Sequence, residues 1–230
     1  MRSALVTGGS SGIGLAIARM LREEGFALTL AARTLEKLNA AAAELDAAAS
    51  VTNVRDEHDC ERVVADHVER HGGLDVLVNS AGVGVAGGLD QQDVKRIDLQ
   101  LEVNLRGSIL VTRAALPHLR ASRGLVVNVA SIAGTVPVPL LPVYAATKAG
   151  VISLTRSLNV ALDADGVRVH ALCPAFVATP MASFTGMQDD ELIQPEDCAE
   201  VVRMLLKLSP RARVPQVVIE RIGAGSDLPV

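Results

Sequence analysis

Seven short apolar runs alternate along this chain with longer stretches whose apolar residues recur at helical spacing. The runs are Ala4 to Val6, Phe26 to Ala32, Ala49 to Val54, Leu74 to Asn79, Leu125 to Ala130, Val167 to Leu172 and Val217 to Glu220. Most are too uniformly apolar to have a wet face, as expected of strands covered on both sides. Between them, IGLAIARMLREE, LEKLNAAAAELDAA, HDCERVVADHVERH, about Asp93 to Leu119, Tyr144 to Leu162 and PEDCAEVVRMLLKL read as helices. Pro117 is expected to kink or end its helix. Gly25, Gly72 and Gly166 stand where helices should stop, in the left-handed conformation of a C-terminal cap. Strict alternation of strand and helix implies right-handed crossovers. The expected fold is therefore α/β, a doubly wound sheet of about seven mainly parallel strands with helices on both faces, in one domain over 1–230.

Ligands of such a sheet bind beyond the C-terminal ends of its strands. Two glycine-rich segments compete for that role. AGVGVAG holds a strict G-x-G-x-x-G at Gly82, Gly84 and Gly87, with Glu102 at about the offset where a dinucleotide fingerprint wants an acid. No helix opens at Gly87, however, and Glu102 falls inside a helical stretch, so the match is false as a phosphate cradle. TGGSSGIG is better placed. Its Gly8, Gly12 and Gly14 lead from the first strand straight into a helix, whose free N–H groups and dipole suit a pyrophosphate.

Bulk properties narrow the partners. A net charge of −4, with charges scattered along the chain, gives no basic field for nucleic acid. Cys60, Cys173 and Cys198 lack a C-x-x-C pairing and fit a reducing compartment. No apolar run has the length of a signal segment or membrane span, so a cytoplasmic protein without membrane contact is expected. His67 and His71 lie four apart on a helix without a third metal ligand, and read as a solvated helix face; no metal is expected.

With Thr7 before it, TGGSSGIG resembles the glycine motif of the short-chain dehydrogenase/reductase family, and further matches follow in family order. NSAG at Asn79 to Gly82 is close to that family's NNAG, and VNLRG at Val103 to Gly107 to its V-N-L-x-G. Ser131 ends a strand, and thirteen positions later comes YAATK with Tyr144, the only tyrosine of the chain, and Lys148. CPAFVAT, Cys173 to Thr179, is similar to the family's P-G-x-x-x-T. The resemblance implies a Rossmann-like fold and a carbonyl–alcohol oxidoreductase using a nicotinamide cofactor. It also implies a homodimer or homotetramer joined through the long helices from Asp93 and Tyr144.

The residue chemistry agrees. At i and i+4 of a helix, Tyr144 and Lys148 share one face, and a nearby ammonium favours the phenolate of a group whose ordinary pKa is about 10. Reducing a ketone creates an alkoxide that must gain a proton. Tyr144 is the candidate donor, and the base when the reaction runs backwards. Ser131 can hydrogen-bond the substrate oxygen. The resemblance adds that Lys148 binds the nicotinamide ribose and that Asn104 holds a water linking Lys148 to solvent.

The strand after the first helix ends LAART, offering Arg33 where a ribose with free hydroxyls would want an acid. NADP(H) is therefore favoured over NAD(H). By resemblance, Ser10, Ser11 and Ile13 line the phosphates and Asn53 and Val54 flank adenine. Asn79, Ala81 and Gly82 pass beside the ribose, and Pro174, Val177 and Thr179 hold the nicotinamide end. Asn53, Ser80 and Ala175 depart from the usual family residues, which qualifies cofactor affinity more than reaction type. Residues 180–194 resemble a short substrate lid. Met181, Phe184, Met187, Leu192 and Ile193 either close over an apolar substrate or pack on the body as an amphipathic helix. The tail ERIGAGSDLPV lacks the family's frequent glycine-rich ending. The alternative to a small-molecule enzyme is a catalytically silent nucleotide sensor, which should have lost part of the set Asn104, Ser131, Tyr144 and Lys148.

Overall fold

A computed structural model describes residues 1–223, and within 180–185 the side chain of Phe184 is not among the described ones. The last part of the tail, 224–230, lies outside the described residues. Among the described residues, seven parallel strands form one sheet in the order β3-β2-β1-β4-β5-β6-β7. They are β1 (Ser3–Thr7), β2 (Ala27–Ala32), β3 (Ala48–Val51), β4 (Val76–Asn79), β5 (Leu125–Val129), β6 (Arg168–Pro174) and β7 (Gln216–Ile219). The helices are α1 (Gly12–Glu23), α2 (Leu35–Leu45), α3 (Glu57–His71), α4 (Val94–Gln100), α5 (Gly107–Ser122), α6 (Pro142–Ala161) and α7 (Pro195–Lys207).

Both faces of the sheet are apolar, as the uniform runs require. On β1, Ala4 and Val6 join the cluster packed under α1, α2 and α7, while Leu5 joins the opposite cluster under α3 and α5. Because chain order reverses between β1 and β4, their C-terminal ends flank an open crevice, the position where ligands enter such sheets. Gly25, Gly72 and Gly166 all have φ between 71° and 80°, as their capping role demands.

Three local expectations change. The weak run ending at Val54 leaves the sheet after Val51, and Thr52 and Val54 line the crevice. The long helix is interrupted at Leu101–Arg106 by a π-helical turn joining α4 to α5. Pro117 does not end α5, which continues to Ser122.

The fourth change is His67, which is fully buried and not solvated. Cys60, Val63, Val64 and His67 form the inward stripe of α3. Its Nε2 lies 3.1 Å from Ser3 Oγ and its Nδ1 2.8 Å from Thr29 Oγ1. Ser3 Oγ donates to the Gly73 carbonyl at 2.8 Å, so it accepts from Nε2–H, and Nδ1 accepts from Thr29. His71 Nε2 reaches the same Thr29 hydroxyl at 3.3 Å. Burial pushes the His67 imidazole down to about 3, so the fold favours its neutral form. A native pKa below the unfolded value gives stability that is complete above the unfolded pKa and lost as pH falls towards the native one. Acidification to pH 4 is expected to remove about 3 kcal/mol through this group. Urea unfolding of His67→Gln should show a flatter pH dependence between pH 6.5 and 4 than the parent; parallel curves would contradict this.

Candidate active site

The first loop of the crevice is shaped by glycines at contact distance from other backbone. Gly8 has φ +67°, and a Cβ on it would lie 2.8 Å from Ala81 N and the Ser80 carbonyl. A Cβ on Gly14 would lie 2.4 Å from the Gly8 carbonyl oxygen, and one on Gly12 would lie 2.9 Å from Thr179 Cγ2. The loop thus closes on itself, on the segment after β4, and on Thr179. Ser11 caps α1 without using its side chain, leaving the first N–H groups of the helix available. Thr7 Oγ1 accepts from the N–H groups of Ser80 and Ala81 at 3.2 and 3.3 Å, which ties the two crevice walls together.

Beyond this loop lies a cavity of about 200 Å³. Of the residues expected to meet a nucleotide, it brings together Gly8, Ser10, Ser11, Arg33, Val54, Ala81 and Gly82. It adds Lys37, Thr34 and Thr52, which the sequence analysis missed. Arg33 and Lys37 are both exposed, and neither pairs with a carboxylate among the described residues. They stand one helical turn apart, a spacing readable from the sequence once Thr34 is placed as the cap of α2.

Other expected positions sit elsewhere. Ile13 packs against the core under α1, and Val177 is buried there, bridged to Ile193. Pro174 closes β6 opposite Ile219. Asn53 Oδ1 accepts from Arg55 N at 3.3 Å. The Asn79 amide turns into the sheet, donating to Thr112 Oγ1 and Asn128 Oδ1 at 2.9 and 2.8 Å. In the lid, two short 3-10 turns replace a single helix. Leu192 and Ile193 pack on the body, whereas Met181 stays 43% exposed at the site mouth.

The four residues singled out for chemistry converge. Ser131 follows β5, accepts from Ala133 N at 3.2 Å and directs its hydroxyl proton towards the Tyr144 oxygen, the place where a substrate oxygen would also lie. Tyr144 and Lys148 stand one turn apart on α6, with Nζ 5.6 Å from the centre of the phenol ring. Nζ donates to the Val129 carbonyl at 2.8 Å. Burial pushes the Lys148 ammonium down to about 8. It also pushes the Tyr144 phenol up, and the Ser131 hydrogen bond draws it back only in part. The neutral, proton-donating form of the phenol is thus the one burial favours. Cys173, beside this group, has its thiol pushed up to about 11 by burial and is not a nucleophile.

Asn104 lies in the π-helical turn, a distortion frequent at functional sites. Its Oδ1 accepts from Val83 N at 2.8 Å, and its Nδ2 donates to the Val83 carbonyl at 2.9 Å and to Thr147 Oγ1 at 3.1 Å. A Cβ on Gly82 would lie 3.5 Å from Asn104 Oδ1 and 3.6 Å from Lys148 Nζ, so all three share one corner. Two buried amides extend the clamp. Gln100 Oε1 accepts from Val85 N at 3.3 Å, and Gln92 Nε2 donates to the Gly87 carbonyl at 3.0 Å. Gln100 sits at i−4 from Asn104, a spacing present in the sequence but not singled out there. The two amides are joined through Gln100 Nε2 to Gln92 Oε1 at 2.8 Å. Gly107 lets the following helix approach, since a Cβ there would lie 2.9 Å from Val54 Cγ2.

Known proteins share this fold. Residues 2–190 match the family model described as short chain dehydrogenase. An uncharacterized oxidoreductase of Staphylococcus epidermidis is 34% identical over 225 residues, covering 95% of this chain and 96% of the relative. An alcohol dehydrogenase from the archaeon Thermococcus sibiricus, solved with 5-hydroxy-NADP, is similar with TM-score 0.91 and 31% identity over 96% of this chain and 97% of that one. A 3-ketoacyl-(acyl-carrier-protein) reductase from Brucella melitensis, solved with NADH, gives TM-score 0.88 and 28% identity over 95% and 96%. The chain belongs to the short-chain dehydrogenase family of oxidoreductases.

Proposed function

We propose that this protein is an NADP(H)-dependent oxidoreductase interconverting a carbonyl and an alcohol, with Tyr144 as general acid and base. The observation that carries this reading is the meeting of Ser131, Tyr144 and Lys148 beside a glycine cradle at the β1/β4 crevice. A dinucleotide fits the residues present. The loop from Gly8 to Gly14 has backbone where side chains would intrude, and its helix N-terminus suits a pyrophosphate. When bound, the nicotinamide supplies or accepts the hydride.

The chain's own part is positioning and proton transfer. Ser131, whose lone pair already accepts from Ala133 N, donates its proton to the substrate oxygen as charge develops there. Tyr144, held neutral by its surroundings, delivers the proton in reduction and takes it in oxidation. Lys148 keeps a positive charge close to the phenol and reaches towards the crevice from beside Gly82. Asn104 fixes Val83 and thereby the wall that Gly82 belongs to. Activity with a panel of aldehydes, ketones and alcohols, followed by nicotinamide absorbance, tests the reading.

Arg33 and Lys37 support the choice of NADP(H), because two unpaired cations beside the cavity favour an added phosphate over a free hydroxyl. NADPH is expected to bind at least about tenfold more tightly than NADH, the size of one charge-assisted contact. Arg33→Asp should erase or reverse that ratio, and Lys37→Ala should weaken NADPH alone. Fluorescence titrations with both nucleotides that coincide in parent and variants would contradict the preference.

A further inference from the structure

Three segments meet around the Tyr144 phenol. A Cβ built on Gly84 would lie 3.7 Å from Tyr144 Cδ2 and 3.9 Å from Met181 Sδ, so 81–88 and the 174–188 segment close on the ring from two sides. The third, 130–143, contributes Ser131 and presses onto α6, where a Cβ on Gly134 would lie 2.7 Å from the Lys148 carbonyl carbon. It is tied to the first by Gly87 N donating to the Leu140 carbonyl at 2.9 Å. In a chain that is 21% charged, positions 81–88, 130–143 and 174–188 contain no Asp, Glu, Lys, Arg or His. At the chain's average several charges would fall among them.

Part of the polar backbone of the first segment is also committed. Asn104, Gln100 and Gln92 take both polar groups of Val83, the N–H of Val85 and the carbonyl of Gly87. On the side of the phenol away from Ser131 and Lys148 stand glycine and the Met181 thioether, and the outer rim carries Leu89 and Leu140, 63% and 71% exposed. The nearest charges in sequence are acidic and exposed, at Asp90 and at Asp189 to Glu191. The cation near the phenol, Lys148, already donates to the Val129 carbonyl, so an anionic group entering between Gly84 and Met181 would lose water with no uncommitted cation beside it and would be repelled at the acidic edge.

We propose that the site takes a neutral, largely apolar ketone or secondary alcohol and rejects carbonyl compounds that carry a carboxylate or phosphate near the reacting carbon. This rests on the oxidoreductase reading above and adds the substrate class to it. Gly84 and Met181 set the selectivity, the first by leaving room beside the ring and the second by covering that room with a polarizable apolar side chain.

The test uses one carbonyl in three forms: ethyl acetoacetate, acetoacetamide and acetoacetate. The amide matches the acid in size, which separates charge from bulk. With NADPH present, kcat/KM should fall in the order ester, amide, acid, with ester over acid by about 100-fold or more. Thermal-shift protection of the NADPH-loaded protein should follow the same order. Met181→Arg, at an exposed position, should narrow the ester-to-acid ratio by about tenfold, while Met181→Leu leaves it in place. Equal handling of ester and acid, or no protection by either neutral compound, overturns the proposal. So does a ratio that Met181→Arg does not move. Protection by the neutral compounds without turnover instead upholds the apolar site and overturns the oxidoreductase reading.

Discussion

Tyr144→Phe is expected to lower kcat/KM by about a thousandfold while leaving the fold and nucleotide binding in place. A positioned general acid contributes about 10²–10⁴ in rate, and here no other described side chain replaces it. Lys148 is committed to the Val129 carbonyl, Cys173 is held as a thiol, and Ser131 is an unactivated hydroxyl. The ring itself is conserved by the substitution, so packing against Gly84 and Met181 survives. Only the hydrogen bond to Ser131 is lost, worth about 1 kcal/mol. The pair of measurements that checks this is a carbonyl turnover assay and a nucleotide titration of the same preparation. Unchanged turnover with intact binding would remove Tyr144 from the mechanism.

Gly14→Ala is expected to have the largest effect on stability of any single methyl addition in the site. Its Cβ would stand 2.4 Å from the Gly8 carbonyl oxygen, 2.9 Å from the Gly8 carbonyl carbon and 3.0 Å from Ser80 Oγ. The first two are backbone atoms between β1 and α1 and cannot rotate away, so either the loop opens or the helix shifts. Overpacking of this kind costs about 3 kcal/mol, and the opened loop would no longer aim its N–H groups at one point. Urea unfolding should show the loss, and NADPH affinity should fall at least about tenfold. Gly73→Ala is the control, because nothing lies within 4 Å of a Cβ there. Equal effects at Gly14 and Gly73 would show that close approach at the loop is not what requires glycine.

The fold was legible because uniformly apolar runs admit one arrangement, strands covered on both faces, and the glycine caps marked where helices stop. What escaped the sequence was governed by tertiary direction. His67 was taken for a surface residue because it lies four positions from His71 with no third metal ligand to draw the pair inward. Yet it falls at the seventh position after Cys60, on the stripe that α3 turns inward. The π-helical turn at 101–106 leaves no mark in the pattern of apolar spacing, since it adds one residue to a turn already flanked by apolar groups.

At the site, the residue types and order of Ser131, Tyr144 and Lys148 were enough to place them together. Their electrostatics were not. Sequence spacing put an ammonium near a phenol, and depth of burial, which the spacing does not show, adds a pull towards the neutral phenol. Val177 has a further role that motif spacing did not announce: its side chain joins the core and its backbone forms a parallel bridge with Ile193. Lys37 and the Gln100–Gln92 pair were hidden for a different reason: the cavity that Lys37 lines and the 83–87 segment that the two amides hold are brought near them only by folding.

The central claim is that this crevice turns a carbonyl into an alcohol, instead of only sensing a nucleotide. The most direct measurement is product analysis after incubating the protein with NADPH and ethyl acetoacetate, following nicotinamide absorbance and the hydroxy ester together. The account predicts one alcohol formed for each NADPH consumed. Tight NADPH binding with no alcohol from this ester or any member of the wider neutral carbonyl panel would contradict it.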